Sequence, residues 1–119
     1  QKKQSNSKQS NSKREVRIPI MSKEDIESVK DNWEDNSQLS MIWDLIKKND
    51  IHELSEWLET EPLSAYMRSA DGRGPMWWAH EFGHADIVRL LKSLGISETD
   101  RDVKGLSALD ISKKGKKRR

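Results

Sequence analysis

The sequence predicts an all-α chain of paired short helices in which one helix–turn–helix unit recurs. Three observations carry that prediction. Apolar residues recur at spacings of three and four, the period of one helix face, in segments of about ten residues. No strand pattern competes with them, apart from a short extended stretch where Val16, Ile18 and Ile20 alternate with Arg17 and Pro19. Finally, Gly72 and Gly105, Met76 and Leu109, Leu58 and Leu91, and Leu54 and Ile87 are each 33 residues apart. A fixed period of that length marks units that bury their apolar face only by stacking on neighbours.

Each element follows from local chemistry. Residues 1–14 are Gln, Ser, Asn and Lys with one Arg, and Lys-Gln-Ser-Asn-Ser-Lys occurs twice, at Lys3–Lys8 and Lys8–Lys13. Such a segment has no apolar surface to bury, so disorder is expected for a basic N-terminal region over 1–21. Ser22 with Asp25 resembles a capping box, and Ile26, Val29 and Trp33 follow at helical spacing, predicting a helix over Lys23–Trp33. Asp35-Asn36-Ser37 supplies a break and a new N-cap, after which Met41, Ile42, Leu45 and Ile46 make a second helix stopped at Asn49-Asp50. Leu54, Trp57 and Leu58 mark a third, ended before Pro62. Beyond a loop through Gly72 and Gly74, helices are expected over Pro75–Phe82 and Ala85–Leu94, the latter closed by Gly95, with a last short one near Ser107–Ser112. Among the five tryptophans, Trp43, Trp57 and Trp78 fall at apolar-periodic positions and read as core.

The repeated unit resembles the ankyrin repeat. Asp71-Gly72-Arg73-Gly74-Pro75-Met76-Trp77-Trp78-Ala79 is similar to the family's D-G-x-T-P-L-H-x-A opening, and Gly83-His84-Ala85-Asp86-Ile87-Val88-Arg89-Leu90-Leu91 to G-H-x-x-I-V-x-x-L-L. Asp102 to Asp110 looks like the start of a further repeat, and Met41–Pro62 like a diverged one. Gly74 stands where the family has Thr, and Trp77 where it has His. The resemblance implies a short ankyrin-repeat solenoid of about two to three repeats over 22–112, with an N-terminal capping helix, whose end repeats diverge because they face solvent.

Charge divides the chain differently. Residues 1–17 carry Lys2, Lys3, Lys8, Lys13, Arg14 and Arg17 against Glu15 alone, and the C-terminal tail 113–119 carries Lys113, Lys114, Lys116, Lys117, Arg118 and Arg119. The formal net charge of +2 therefore conceals a body holding 10 basic and 19 acidic residues, about −9, between two basic ends. The chain has no cysteine, which excludes disulfides and thiolate metal sites and fits a reducing compartment. No apolar run approaches the roughly 20 residues that span a bilayer, and nothing resembles a signal peptide. Gln1 in place of an initiating Met fits a processed product or a fragment. Lys116-Lys117-Arg118-Arg119 resembles the dilysine retrieval signal of ER membrane proteins, so the expected location is the cytoplasmic side, with an ER tether or the nucleus as alternatives.

His80-Glu81-Phe82-Gly83-His84 spells the H-E-x-x-H signature of zinc metallopeptidases. That chemistry needs both histidines on one helical face with Glu81 as general base and a third ligand beside them. The repeat reading instead ends a helix at Gly83 and begins the next connection at His84. His52 lies on another helix, counting alone leaves a downstream acid such as Glu98 open as a third ligand, and the chain is too short for a zincin's sheet and cleft. The expectation is therefore no enzyme, no metal, no cofactor and no small-molecule substrate, with His80 a partly buried spacer and His84 bonded to the loop joining the helices.

The ankyrin resemblance implies non-catalytic protein–protein interaction through turn tips and the concave helix face. The matching positions are Ala70, Asp71, Arg73, Trp77, Glu81, Phe82, Val103, Lys104 and Leu106, with Lys48 and Asn49 before them. The acidic body favours a basic protein partner within a larger assembly. The basic ends supply the alternative, association with a polyanion such as RNA, the ribosome or an anionic membrane surface.

Overall fold

The computed structural model describes residues 17–117, with side chains described through Ser112. Among these residues the named elements are all helices: α1 Lys23–Lys30, α2 Ser37–Lys47, α3 Ile51–Thr60, α4 Pro75–Phe82, α5 Ala85–Ser93 and α6 Ala108–Lys117, with a 3₁₀ segment over Pro62–Tyr66. No strand forms among them, and a lone antiparallel bridge joins Arg101 to Ser107.

The caps are those that side-chain chemistry dictates. Ser22 accepts from Asp25 N at 3.1 Å, Asn36 from Leu39 N at 2.8 Å and Asp50 from Glu53 N at 3.1 Å, each satisfying a donor that the first helical turn leaves open. Asn49 turns α2 into α3 with φ 61°, and Gly83 turns α4 into α5 with φ 74°, the left-handed conformation that Asn and Gly tolerate best.

Helices α2 and α3 form one antiparallel pair and α4 and α5 the next. Helix α4 packs against both α2 and α6, so α2, α4 and α6 follow one another in contact, with α3 on α2, α5 on α4 and α1 on the 3₁₀ segment. The core is continuous across the pairs: Ile42 and Ile46 of α2, Leu54 and Leu58 of α3, Met76 and Ala79 of α4, and Ile87 and Leu91 of α5 are all fully buried. Burial of each large aliphatic chain stabilises by about 1.5–3 kcal/mol.

The 33-residue period reappears in backbone hydrogen bonds. In the turn before α4, Ser69 N donates to Arg73 O and Gly72 N to Ser69 O; in the turn before α6, Asp102 N donates to Leu106 O and Gly105 N to Asp102 O. These turns stack through Val103 N to Asp71 O, and the stack continues back to the segment before α2 through Glu34 N to Arg68 O.

Several expectations are corrected. Helix α1 ends at Lys30, not Trp33: the Trp33 indole N–H turns back onto Lys30 O at 3.0 Å, and its ring lies 4.4 Å from the Arg68 guanidinium. Trp43 is not core but 38% exposed, because Leu39, Ile42 and Ile46 define the buried stripe and Trp43 lies about 100° around the helix from Ile42. Trp57 is half-buried, its indole donating to Ser64 Oγ at 3.1 Å. Helix α6 continues past Ser112 to Lys117. Of the N-terminal region, residues 1–16 lie outside the described residues, while Arg17 N donates to Glu59 at 3.0 Å and Ile18 packs against the core.

Candidate functional site

The inner face of α2 and the turn tips enclose a groove of about 650 Å³, lined by Asp35, Asn36, Leu39, Ser40, Trp43, Asp44, Ser69, Asp71 and Trp78. Its position follows from helix geometry. Leu39 and Trp78 cover the core with their inner surfaces, which leaves Trp43, Ser40 and Asp44 on the open side of α2. Asp35 and Asp71 arrive on consecutive stacked turns, Asp35 Oδ1 accepting from Ala70 N at 3.0 Å and Asp71 Oδ1 from Arg73 N at 3.0 Å.

An aromatic edge borders the groove. Phe82 meets Trp43 edge-on with ring centroids 5.9 Å apart, His84 stacks on Phe82 at 6.2 Å, and Lys47 Nζ sits 5.0 Å above the Trp43 ring. Asp44 pairs with Lys48 at 3.0 Å. That ion pair holds the lysine pKa above its ordinary value.

The residues singled out from the sequence separate into three groups. Asp71 lines the groove, Phe82 reaches it through Trp43, and Ala70 and Glu81 are exposed but outside its lining. Val103, Lys104 and Leu106 lie on the next stacked turn, Val103 64% exposed. Arg73 and Trp77 do not present themselves to a partner. Arg73 Nε is held by the buried Asp102 carboxylate at 2.9 Å, with Glu81 at 4.0 Å. Trp77 is buried, its indole N–H bonded to Leu106 O at 3.0 Å and its ring 4.8 Å from the Arg68 guanidinium. Of the nine lining residues sequence reasoning named Asp71 alone; it did not assign Asp35, Asn36, Leu39, Ser40, Trp43, Asp44, Ser69 or Trp78 to a site. The signal for Trp43 was its angular offset from the Leu39–Ile42–Ile46 stripe; Asp35 and Asp44 carry no sequence signal beyond their charge.

Asp102 organises its turn. Burial alone would push its carboxyl pKa up, but N–H groups of Leu106 and Lys104 and the Arg73 guanidinium bond the ionised form, and together they hold it below the ordinary carboxylate value.

The histidines of the H-E-x-x-H pentapeptide diverge. Helix α4 ends at Phe82, so His80 and His84 do not share a helical face. His80 Nε2 lies 2.8 Å from Glu98 Oε2, whereas His84 Nε2 faces Lys47 O at 3.4 Å, on the preceding helix pair rather than its own connecting loop. Among the described residues no group of three His, Asp or Glu side chains is placed to hold a metal ion. No helix among them is long and apolar enough to cross a membrane. The basic residues of the two ends, apart from Arg17, lie where no side chains are described.

No family model, no curated protein and no solved structure matches the chain.

Proposed function

We propose that the chain is a short ankyrin-type stack that binds a protein partner, without catalysis, through the groove between α2, α4 and the turn tips. The observation that carries this reading is Trp43, a large aromatic left 38% exposed at the rim of an open groove beside three aspartates. Exposed aromatics bordered by polar groups are the usual anchors of protein interfaces. The recurrence of identical turn hydrogen bonds 33 residues apart supports the repeat architecture. The groove's charge, within a body of about −9, favours a basic partner, and a core this small is suited to a subunit of a larger assembly.

Site-specific photo-crosslinking tests the reading. A photoreactive residue at Ser40, in the groove, is expected to capture a discrete protein from cells, and one at Glu56, exposed on α3, is not. Equal capture from both positions, or none from Ser40, overturns it. The second reading, polyanion association led by the basic ends, rests on the 12 Lys and Arg residues of 1–17 and 113–119. It requires RNA or anionic vesicle binding that disappears when those residues are neutralised.

A further inference from the structure

The geometry points to a narrower occupant: we propose that the groove receives an extended Arg- and Lys-rich segment of a protein partner. One cation of that segment lies on the Trp43 ring, and its neighbours bond the carboxylates of Asp35 and Asp71. The inference rests on the groove reading above and adds the chemistry of what fills it.

The first support is that an internal cation already sits there. Lys47 Nζ lies 5.0 Å from the Trp43 ring centroid, the geometry in which an indole face attracts a cation. Phe82 packs edge-on at 67° to the same ring and fixes its plane. Lys47 is a surface residue on a flexible stem, so a partner's guanidinium displaces it at little cost. A guanidinium also stacks on an aromatic face better than an ammonium does.

The second support is preorganisation of the carboxylates. Asp35 and Asp71 are exposed, yet each is fixed by hydrogen bonds to Oδ1: from Ala70 N to Asp35, and from Arg73 N and the Ser69 hydroxyl to Asp71. Neither Oδ2 has an internal partner among the described residues. An immobilised carboxylate with one open oxygen loses little conformational freedom when it accepts a charge-assisted hydrogen bond.

The third support is charge complementarity. The groove lining contains Asp35, Asp44 and Asp71 and no Lys or Arg; Lys48 pairs with Asp44 from outside the lining and Lys47 covers Trp43, which leaves Asp35 and Asp71 as the open charges. Arg73, the nearest basic residue on the turn, is already paired with buried Asp102. A polyanion is repelled by such a lining, whereas a basic peptide is drawn in along its length.

Fluorescence anisotropy of a labelled nona-arginine peptide with the full chain reads the proposal. Asp35→Asn combined with Asp71→Asn keeps both Oδ1 acceptors, and hence the turns, and is expected to weaken binding by about tenfold, two exposed charge pairs in free energy. Trp43→Leu keeps an apolar contact for Phe82 and is expected to weaken it by about threefold. Lys47→Ala is expected to tighten binding, and to do so more than Arg89→Ala, which removes the same charge from the exposed side of α5. Unfolding curves on each variant verify that the fold is retained. Unchanged affinity in the double variant, or Lys47→Ala no different from Arg89→Ala, overturns the proposal. So does a tenfold gain in peptide affinity when the Lys and Arg residues of 1–14 and 113–119 are changed to Gln in the full chain, because the chain's own ends then fill the groove. RNA binding that falls with the same groove variants also overturns it. If Ser40 crosslinks persist while the peptide ignores these substitutions, the groove reading stands and the cationic assignment falls.

Discussion

At the residue scale, two buried charges hold the stacked turns together. Arg68 is 9% exposed and lies between the rings of Trp33 and Trp77, its Nε bonded to Gly72 O at 2.8 Å and its terminal nitrogen to Arg101 O. Burial pushes its pKa below the ordinary value while Asp100, Asp102 and Asp31 oppose the shift. A lysine carries the same charge but cannot bond two divergent carbonyls from one planar group or fill a slot between two indoles. Arg68→Lys is therefore expected to cost on the order of 2 kcal/mol in urea unfolding, and an unchanged midpoint would contradict the clamp. Asp102 gives a pH dependence of definite sign. Its folded pKa lies below the ordinary carboxylate value, so its stabilisation is complete above that ordinary value and drains away as pH falls through the folded pKa. Asp102→Asn should lose on the order of 1–3 kcal/mol near neutral pH, and its gap from the parent protein should close on acidification. A gap that stays constant down to pH 2 would show that the carboxylate's charge is not what the turn uses.

At the scale of the element, the sequence is legible wherever a cap or a glycine fixes the backbone. Helix α2 begins where the Asp35-Asn36-Ser37 break predicts, because the Asn36 side-chain oxygen satisfies an open N–H, and Asp50, read from the sequence only as part of the stop of α2, caps α3 in the same way. Trp33 and Trp43 were misplaced for a common reason. An apolar residue near a helix's periodic stripe is counted as part of it, although Trp33 lies beyond the end of α1 and Trp43 sits on the flank of α2. That error hid the place of Trp43 at the groove. Asp71 was legible from the turn it belongs to; Asp35 enters the site only because its turn stacks on Ala70, a pairing with no trace in local sequence. Gly74 stands where the ankyrin pattern that the sequence resembles has Thr. Its backbone is extended, and a Cβ there would lie 2.5 Å from Met67 O. A Thr at this position is therefore excluded by backbone, not by a side chain that can move. Gly74→Thr, the substitution a consensus argument recommends, is expected to destabilise by about 1–3 kcal/mol; a rise in melting temperature would refute the steric account.

At the scale of the whole molecule, the distribution of charge separates two modes of attachment that one net value conceals. An acidic body with an aromatic-edged groove and two basic ends carry opposite fields, so a given partner is drawn to one and repelled by the other. A single-stranded polyanion neutralising the six basic residues of 113–119 should lose affinity with a log–log salt slope of about −4. A protein held in the groove makes fewer ionic contacts, and part of its energy comes from the Trp43 surface, which salt does not screen. Changing the Lys and Arg residues of both ends to Gln in the full chain should therefore abolish RNA binding. The same change should leave the affinity of a partner crosslinked at Ser40 within about threefold, the size of one weak exposed pair. If that partner is lost along with the RNA, attachment is led by the ends and the groove is not the principal site.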